Sequence, residues 1–323
     1  MNRMSYFARI LCCACMLLVL ISCRSAREPG GRIGARYDYP IMVAPQEYWT
    51  KKSPHYKETR AILLDDLADA IVRAIHEGHI QSLRGRIRSG EEEFCVDLAR
   101  KGGGSIPRRI YRPDANLWTG KVISEIQTSI KMIRQELESM GIDPKAVRRV
   151  GSCTVKGKWL PAHADFHISG DSGQALRIRF IASQRRIGDK SFAWVLDGGR
   201  SFGGIYHTWL NAEQEEAIDD KYVDLVRTWT EEQAQLILEK RVNYRYLMFR
   251  FWPDLLEERV RTSKYSDNYL RLSEKDLESL RQSVTYSEWP NNYNKGKEVM
   301  RVVFDENGIA KQVFLRGKEV KAE

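Results

Sequence analysis

Cysteine is scarce in this sequence: there are six among 323 residues, and four of them fall within the first 23. Cys95 and Cys153 are left for the rest of the chain. Neither belongs to a C-x-x-C pair or to a zinc-ligand spacing, which sets aside thioredoxin-type redox chemistry and zinc fingers. In an oxidising compartment the two can bridge. A Cys95–Cys153 disulfide would close about 58 residues and contribute roughly 4 kcal/mol on the loop-entropy model, and two buried free thiols are the alternative. Other devices are missing as well. Gly102-Gly103-Gly104 is followed by Ser105 without the Lys-Ser/Thr of a phosphate-binding loop, so it reads as a helix-ending cap. His76-Glu77-Gly78-His79 spaces its histidines by three with a glycine between, where the helix of a zinc protease needs four. No internal repeat, low-complexity block or nucleophile-elbow motif is present, and no apolar run after residue 21 is long enough to span a bilayer.

What is there is a globular composition: 42% hydrophobic residues with 8 Trp, 14 Tyr and 10 Phe, enough for one large or two ordinary domains. The formal charge is +9, a modest excess that a solvated surface accommodates and that also favours anionic partners through its long-range field.

The first 23 residues decide where such partners would be met. Arg3 and Arg9 lie in a short start without acids, residues 10–21 are all apolar or thiol-bearing, and Leu20-Ile21-Ser22-Cys23 follows. A basic n-region, an apolar h-region of 7–15 residues and small residues at the cut describe a secretory signal peptide. Leu20-Ile21-Ser22-Cys23 resembles the lipobox of bacterial lipoproteins. The resemblance implies that residues 1–22 are removed and that Cys23 is acylated, anchoring the protein in a lipid bilayer. Arg24, where Asp would imply retention in the inner membrane, implies the outer membrane, facing the periplasm. In that compartment the anionic partners are lipid headgroups, acidic envelope glycans or other envelope proteins, not nucleic acid. Nothing in the sequence calls for a cofactor.

Residues 23–53, rich in Gly, Pro and Arg, read as a tether. Two further segments are expected, 54–210 and 211–323, which can pack as one domain. Ser53-Pro54 opens a helix whose Leu64, Leu67, Ile71, Ala74 and Ile75 recur at helical spacing. A short helix is expected over 91–100, and a long one over 120–140, where Ile123, Ile126, Ile130, Ile133 and Leu137 trace one face before Gly141. The period then changes to two, predicting strands over 147–159, 162–168, 175–182 and 191–196. Their close spacing favours an antiparallel meander with helices on its apolar face, hence an α+β fold. Helices followed by a curved meander look like the cystatin-like and nuclear-transport-factor-like folds, a likeness of architecture that carries no function. Asn211 caps a helix to residue 220, and a second helical run extends from 223 through 252 to Pro253. A short helix ends at Arg281, and a hairpin pairs 299–304 with 309–315 across Asp305-Glu306-Asn307-Gly308.

Three constellations carry candidate chemistry. In a strand, His163, Asp165 and His167 share one face about 6.5–7 Å apart, and two imidazoles with a carboxylate suit zinc or iron. His207, in Tyr206-His207 close to Asp197, is the natural fourth member or a catalytic base. The plain alternative is that Ala164, Phe166 and Ile168 face the core and the polar trio faces water. Tyr244, Tyr246 and Trp252, interleaved with Arg245 and Arg250, suit stacking on a sugar or base, or else are core aromatics with the arginines reaching outward. The sequence therefore predicts a lipid-anchored envelope protein with a non-catalytic binding or assembly role. Its rival is a metal-dependent or hydrolytic enzyme working on the His163/Asp165/His167 face.

Overall fold

The computed structural model describes residues 32–33, 41–45, 53–88, 93–99, 105–110, 120–156, 162–187, 191–197, 204–219, 228–251, 253–255, 274–288 and 296–322. The fold is α+β, with helices set against antiparallel sheets. The large sheet is built from β1 (Ala44–Pro45), β2 (Ile87–Arg88), β5 (Arg148–Lys156), β6 (Ala162–Ser169), β7 (Ala175–Ile187), β8 (Ser191–Asp197) and β9 (Ile205–Thr208), with β3 (Glu93–Ala99) and β4 (Ser105–Ile110) forming a separate hairpin. Its main order is β1-β8-β7-β6-β5. β9 lies on β7, and β2 joins β8 as the sheet's parallel member. The expected meander is present, with β7 running five residues past its predicted end.

Helices α1 (Tyr56–Glu77) and α2 (Gly120–Ser139) fill one face of this sheet. Their apolar stripes meet the alternate residues Ala164, Phe166, Ile168, Ile178 and Phe180, all 1% exposed or less. α1 begins two residues later than Ser53-Pro54 suggests. Ser53 Oγ accepts from the His55 N–H at 3.3 Å, forming a turn before the helix rather than capping it. Its other end closes on Gly78 at φ +72°, and α2 completes the cap: Arg134 donates to the carbonyls of Ile75 (2.5 Å) and His76 (3.0 Å), and Gln127 to that of Gly78 (3.0 Å). Two adjacent carboxylates on α1 hold opposite margins of the sheet. Asp65 accepts from the Cys153 N–H at 2.8 Å on edge strand β5, whereas Asp66 accepts from the Met42 N–H at 3.2 Å and pairs with Arg86.

Three expectations need correction. Residues 93–99, expected in a short helix, form strand β3, and Phe94, Val96 and Leu98 alternate at period two with Glu93, Cys95 and Asp97, which the short window hid. Of residues 41–45, assigned to the tether, Ile41 and Met42 pair with Ile33 and Arg32 in a separate two-stranded sheet, and Ala44-Pro45 joins the large one. Ala44 and Pro45 pair with Phe192 and Ser191, while Ile41 and Val43 are buried against Ala193 and Val195. The long run from 223 to 252 is broken. α3 (Ala212–Ile218) is followed by α4 (Glu231–Glu239) and α5 (Tyr244–Phe251), and α3 and α4 each open on a capping box, Asn211 with Gln214 and Thr230 with Gln233. Between α4 and α5, Arg241 takes φ 51° and Asn243 Oδ1 accepts from the Tyr246 N–H at 3.0 Å, starting a new helix.

The C-terminal hairpin is the centre of a four-stranded sheet: β10 (Ser283–Glu288), β11 (Lys297–Phe304), β12 (Ala310–Leu315) and β13 (Lys318–Val320), with β10 continuing directly from α6 (Glu274–Gln282). Asp305 Oδ1 accepts from the N–H groups of Asn307 and Ile309, both at 2.9 Å, and Gly308 takes φ +74°. This turn seats against α5, where the Tyr244 N–H donates to the Gly308 carbonyl at 3.0 Å.

Candidate functional site

The face of the large sheet turned away from α1 and α2 holds the most concentrated chemistry among the described residues. Register explains it. Asp165 lies opposite Arg179 and His167 opposite Arg177 across β6 and β7, while Tyr206 on β9 lies opposite Arg179 from the other side. Alternation puts all of these on one face, as it puts Phe166 and Ile178 on the other. α3 then lays Glu215 over them.

The result is an internal ion network. Arg179, 1% exposed, donates to both oxygens of Asp165 at 2.5 and 2.6 Å, to Tyr206 Oη at 3.0 Å and to Glu215 at 3.2 Å. Arg177 also pairs with Glu215, so two guanidiniums meet two carboxylates. Burial works against the charge on Arg179, but the Asp165 hydrogen bonds and the neighbouring charges outweigh it, and its pKa is raised. Burial pushes the Tyr206 hydroxyl pKa upward, as it does that of Tyr246, which is completely buried, meets Tyr206 edge-on at 6.0 Å and hydrogen-bonds Asp219 at 3.1 Å. Such surroundings keep the Arg179 guanidinium charged and the two phenols protonated. The network fixes α3 and α5 to the sheet.

His163, Asp165 and His167 do share a face, as expected, and Asp165 is engaged there by Arg179. Asp165 is 3% exposed with both oxygens turned to Arg179, so it does not face water. His163 is half-buried and His167 is the more exposed, its pKa lowered by the part of the ring that is desolvated and by Arg177. His207 is on the opposite face, since it pairs with core-facing Ile178. The described residues contain no group of three or more candidate metal ligands.

His207 belongs to a second site, the seam between α2 and the C-terminal elements. Apart from its apolar stripe, α2 carries Glu125, Ser129, Met132 and Glu136 on another line at helical spacing, and all four are buried. Glu136 accepts from Trp209 Nε1 at 2.5 Å and from Arg241 at 2.9 and 3.0 Å. Burial favours its neutral form, yet the Arg241 and Trp209 hydrogen bonds prevail and its pKa is lowered. Glu125 accepts from Arg245 at 2.8 Å and meets Arg281 at 3.4 Å. His207, 2% exposed, is brought down to about 4 by burial, with Glu136 opposing and Arg245 and Arg241 reinforcing.

Tyr244 and Tyr246 are core aromatics. Tyr244 lies under Arg245 at 5.3 Å and edge-on to Phe304 at 6.0 Å, while Tyr246 adjoins the Trp229, Phe251 and Tyr286 cluster. Trp252 and Cys23 lie outside the described residues, as does the side chain of Cys95. Cys153 is a free, half-buried thiol donating to the Leu64 carbonyl at 3.6 Å, and burial beside Asp65 pushes its pKa up, away from the thiolate. Sequence reading missed Arg177, Arg179 and Glu215. The available signal was that Arg177 and Arg179 alternate in phase with His163, Asp165 and His167, offering opposite charges to one sheet face. No known protein family, curated protein or solved structure matches the chain.

Proposed function

We propose that this protein is a lipid-anchored component of the bacterial cell envelope, acylated at Cys23 and binding or assembling with envelope partners without catalysis. The observation that carries the anchor is Leu20-Ile21-Ser22-Cys23 closing an apolar run that begins after two arginines. Among the described residues no helix is long and apolar enough to cross a membrane, so the acyl chain is the attachment this reading relies on. Arg24 in place of Asp favours the outer membrane with the body in the periplasm. The binding role draws on the polar sheet face. Its acids and arginines are engaged with one another and fasten α3, and among them is Asp165, which the rival enzyme reading on His163, Asp165 and His167 needs for a metal or substrate.

The test is fractionation of cells producing Cys23→Ala. The expected outcome is soluble or unprocessed precursor; mature-sized protein persisting in the membrane fraction would overturn lipidation at Cys23.

A further inference from the structure

Among the described residues the buried apolar side chains gather in two large clusters. One fills the space between the large sheet, α1 and α2, and the other joins α4, α5, α6 and the C-terminal sheet. Met132, Tyr206 and Leu210 carry the second cluster onto α2, β9 and the chain just after β9. The rest of this seam is polar. Glu136 accepts from Arg241, Glu125 accepts from Arg245 and Arg281, and the Asn243 amide donates to the His207 carbonyl. Desolvation offsets much of the attraction in such pairs, so charge specifies the seam while each cluster is held by its own burial. Such a junction lets one part of a fold open while the other stays closed.

His207 sits at this junction, since α2 and α5 both pack on β9. It is 2% exposed, and its Nε2 is buried without a hydrogen-bond partner among the described residues. The charged groups that face it are Glu136 from α2, Arg245 from α5 and Arg241 from the connection between α4 and α5. Across the strands it meets apolar Ile178 of β7, with Arg177 and Arg179 on the other face. Glu136 is already engaged by Trp209 and Arg241. A proton on the ring adds a third cation beside two guanidiniums, away from water. We propose that protonation of His207 opens the seam, so that α4, α5, α6 and the C-terminal sheet part from α2 as one unit while α1, α2 and the large sheet stay folded. Opening uncovers Met132 and Tyr244, which meet around the Gly308 turn. The device is independent of the anchor at Cys23.

Closed, the seam holds His207 neutral to about pH 4, whereas in the open form the hydrated ring takes its proton near pH 6.5. The open form thus binds the proton more tightly, and its population at pH 5 should stand about 20-fold above that at pH 7. Amide hydrogen exchange of the full chain at the two pH values, corrected for the intrinsic pH dependence of exchange, measures this. The expected result is a fall in protection of about that size in α5 and β11, with α1 and β6 unchanged. His207→Phe should remove the fall. An equal fall in α1 and β6, or none in α5 and β11, would overturn the device, and a fall that persists in His207→Phe would take it from His207. Histidine-ring NMR of the unaltered protein serves if that variant does not fold. One of the six rings should stay neutral down to about pH 4, and six rings all charged at pH 5 would equally overturn it.

Discussion

On the helix-covered face of the large sheet, Phe166 and Phe180 meet edge-on at 5.9 Å among isoleucines, whereas on the opposite face Asp165, Arg179, Tyr206 and Glu215 are buried just as deeply. The first face is held by area removed from water, which has no direction and tolerates many partners. The second is held by ion pairs whose desolvation offsets much of their attraction, so their net contribution is small while the cost of removing one member is large. The difference teaches what each face is for. The apolar face contributes burial, and the charged face ties α3 through Glu215 and meets α5 through the Tyr206–Tyr246 contact. The seam at Glu125 and Glu136 repeats the arrangement on α2, one helix carrying an apolar stripe and a charged one.

The comparison breaks most visibly at Asp165. Asp165→Ala leaves Arg179 short of a partner and is expected to cost about 3–5 kcal/mol in urea unfolding, as is Phe166→Ala on the other face. The two faces then part. Asp165→Leu combined with Arg179→Met should recover most of the loss, because a well-packed apolar pair replaces the ions. Failure of the double variant to recover would show that the network contributes net stability.

At the seam, acid should act through His207. The folded protein holds it neutral to about pH 4, whereas the unfolded chain takes up a proton near pH 6.5. Unfolding therefore binds a proton between these values, so stability falls as pH drops from 6.5 to 4 and levels off below, by about 3 kcal/mol from this residue. Urea midpoints at pH 7, 5.5 and 4 measure the slope, and His207→Phe should flatten it. An unchanged slope would move the acid sensitivity elsewhere.

A smaller effect is expected at the turn that seats the C-terminal sheet. Gly308 has φ +74°, and a Cβ there would come within 2.7 Å of Met132 Cε and 2.8 Å of Tyr244 Cδ1. Gly308→Ala should cost about 2 kcal/mol, seen as a lower thermal midpoint. The smallest effect belongs to the exposed margin of the charged face. His163→Ala with His167→Ala should change stability by about half a kcal/mol per site or less. A zinc-dependent rise in melting temperature that disappears in this double variant would instead promote a metal-dependent enzyme.

Much of the architecture was legible. The Ile123-to-Leu137 stripe, the alternation through Ala164, Phe166 and Ile168, the Asn211 cap and the Asp305-to-Gly308 turn are local patterns, and each element stands where its pattern put it. The break before Tyr244 was not legible, because it depends on Val242 and Tyr244 bonding to Ala310 and Gly308 in a distant hairpin. Of the candidate site, the shared face of His163, Asp165 and His167 could be read, but not the partner that occupies Asp165.

By itself, the sequence determined which residues are apolar at period 3.6 or two, hence the elements, their inward faces and the α+β class. Only the tertiary structure decided which charges are buried and with whom. Asp165 finds Arg179 fourteen residues away, and Glu125 finds Arg281 at a separation of 156. A hydrophobic stripe is written in neighbours three or four positions apart, whereas an ion pair exists only once the fold has brought its two halves within about 3 Å.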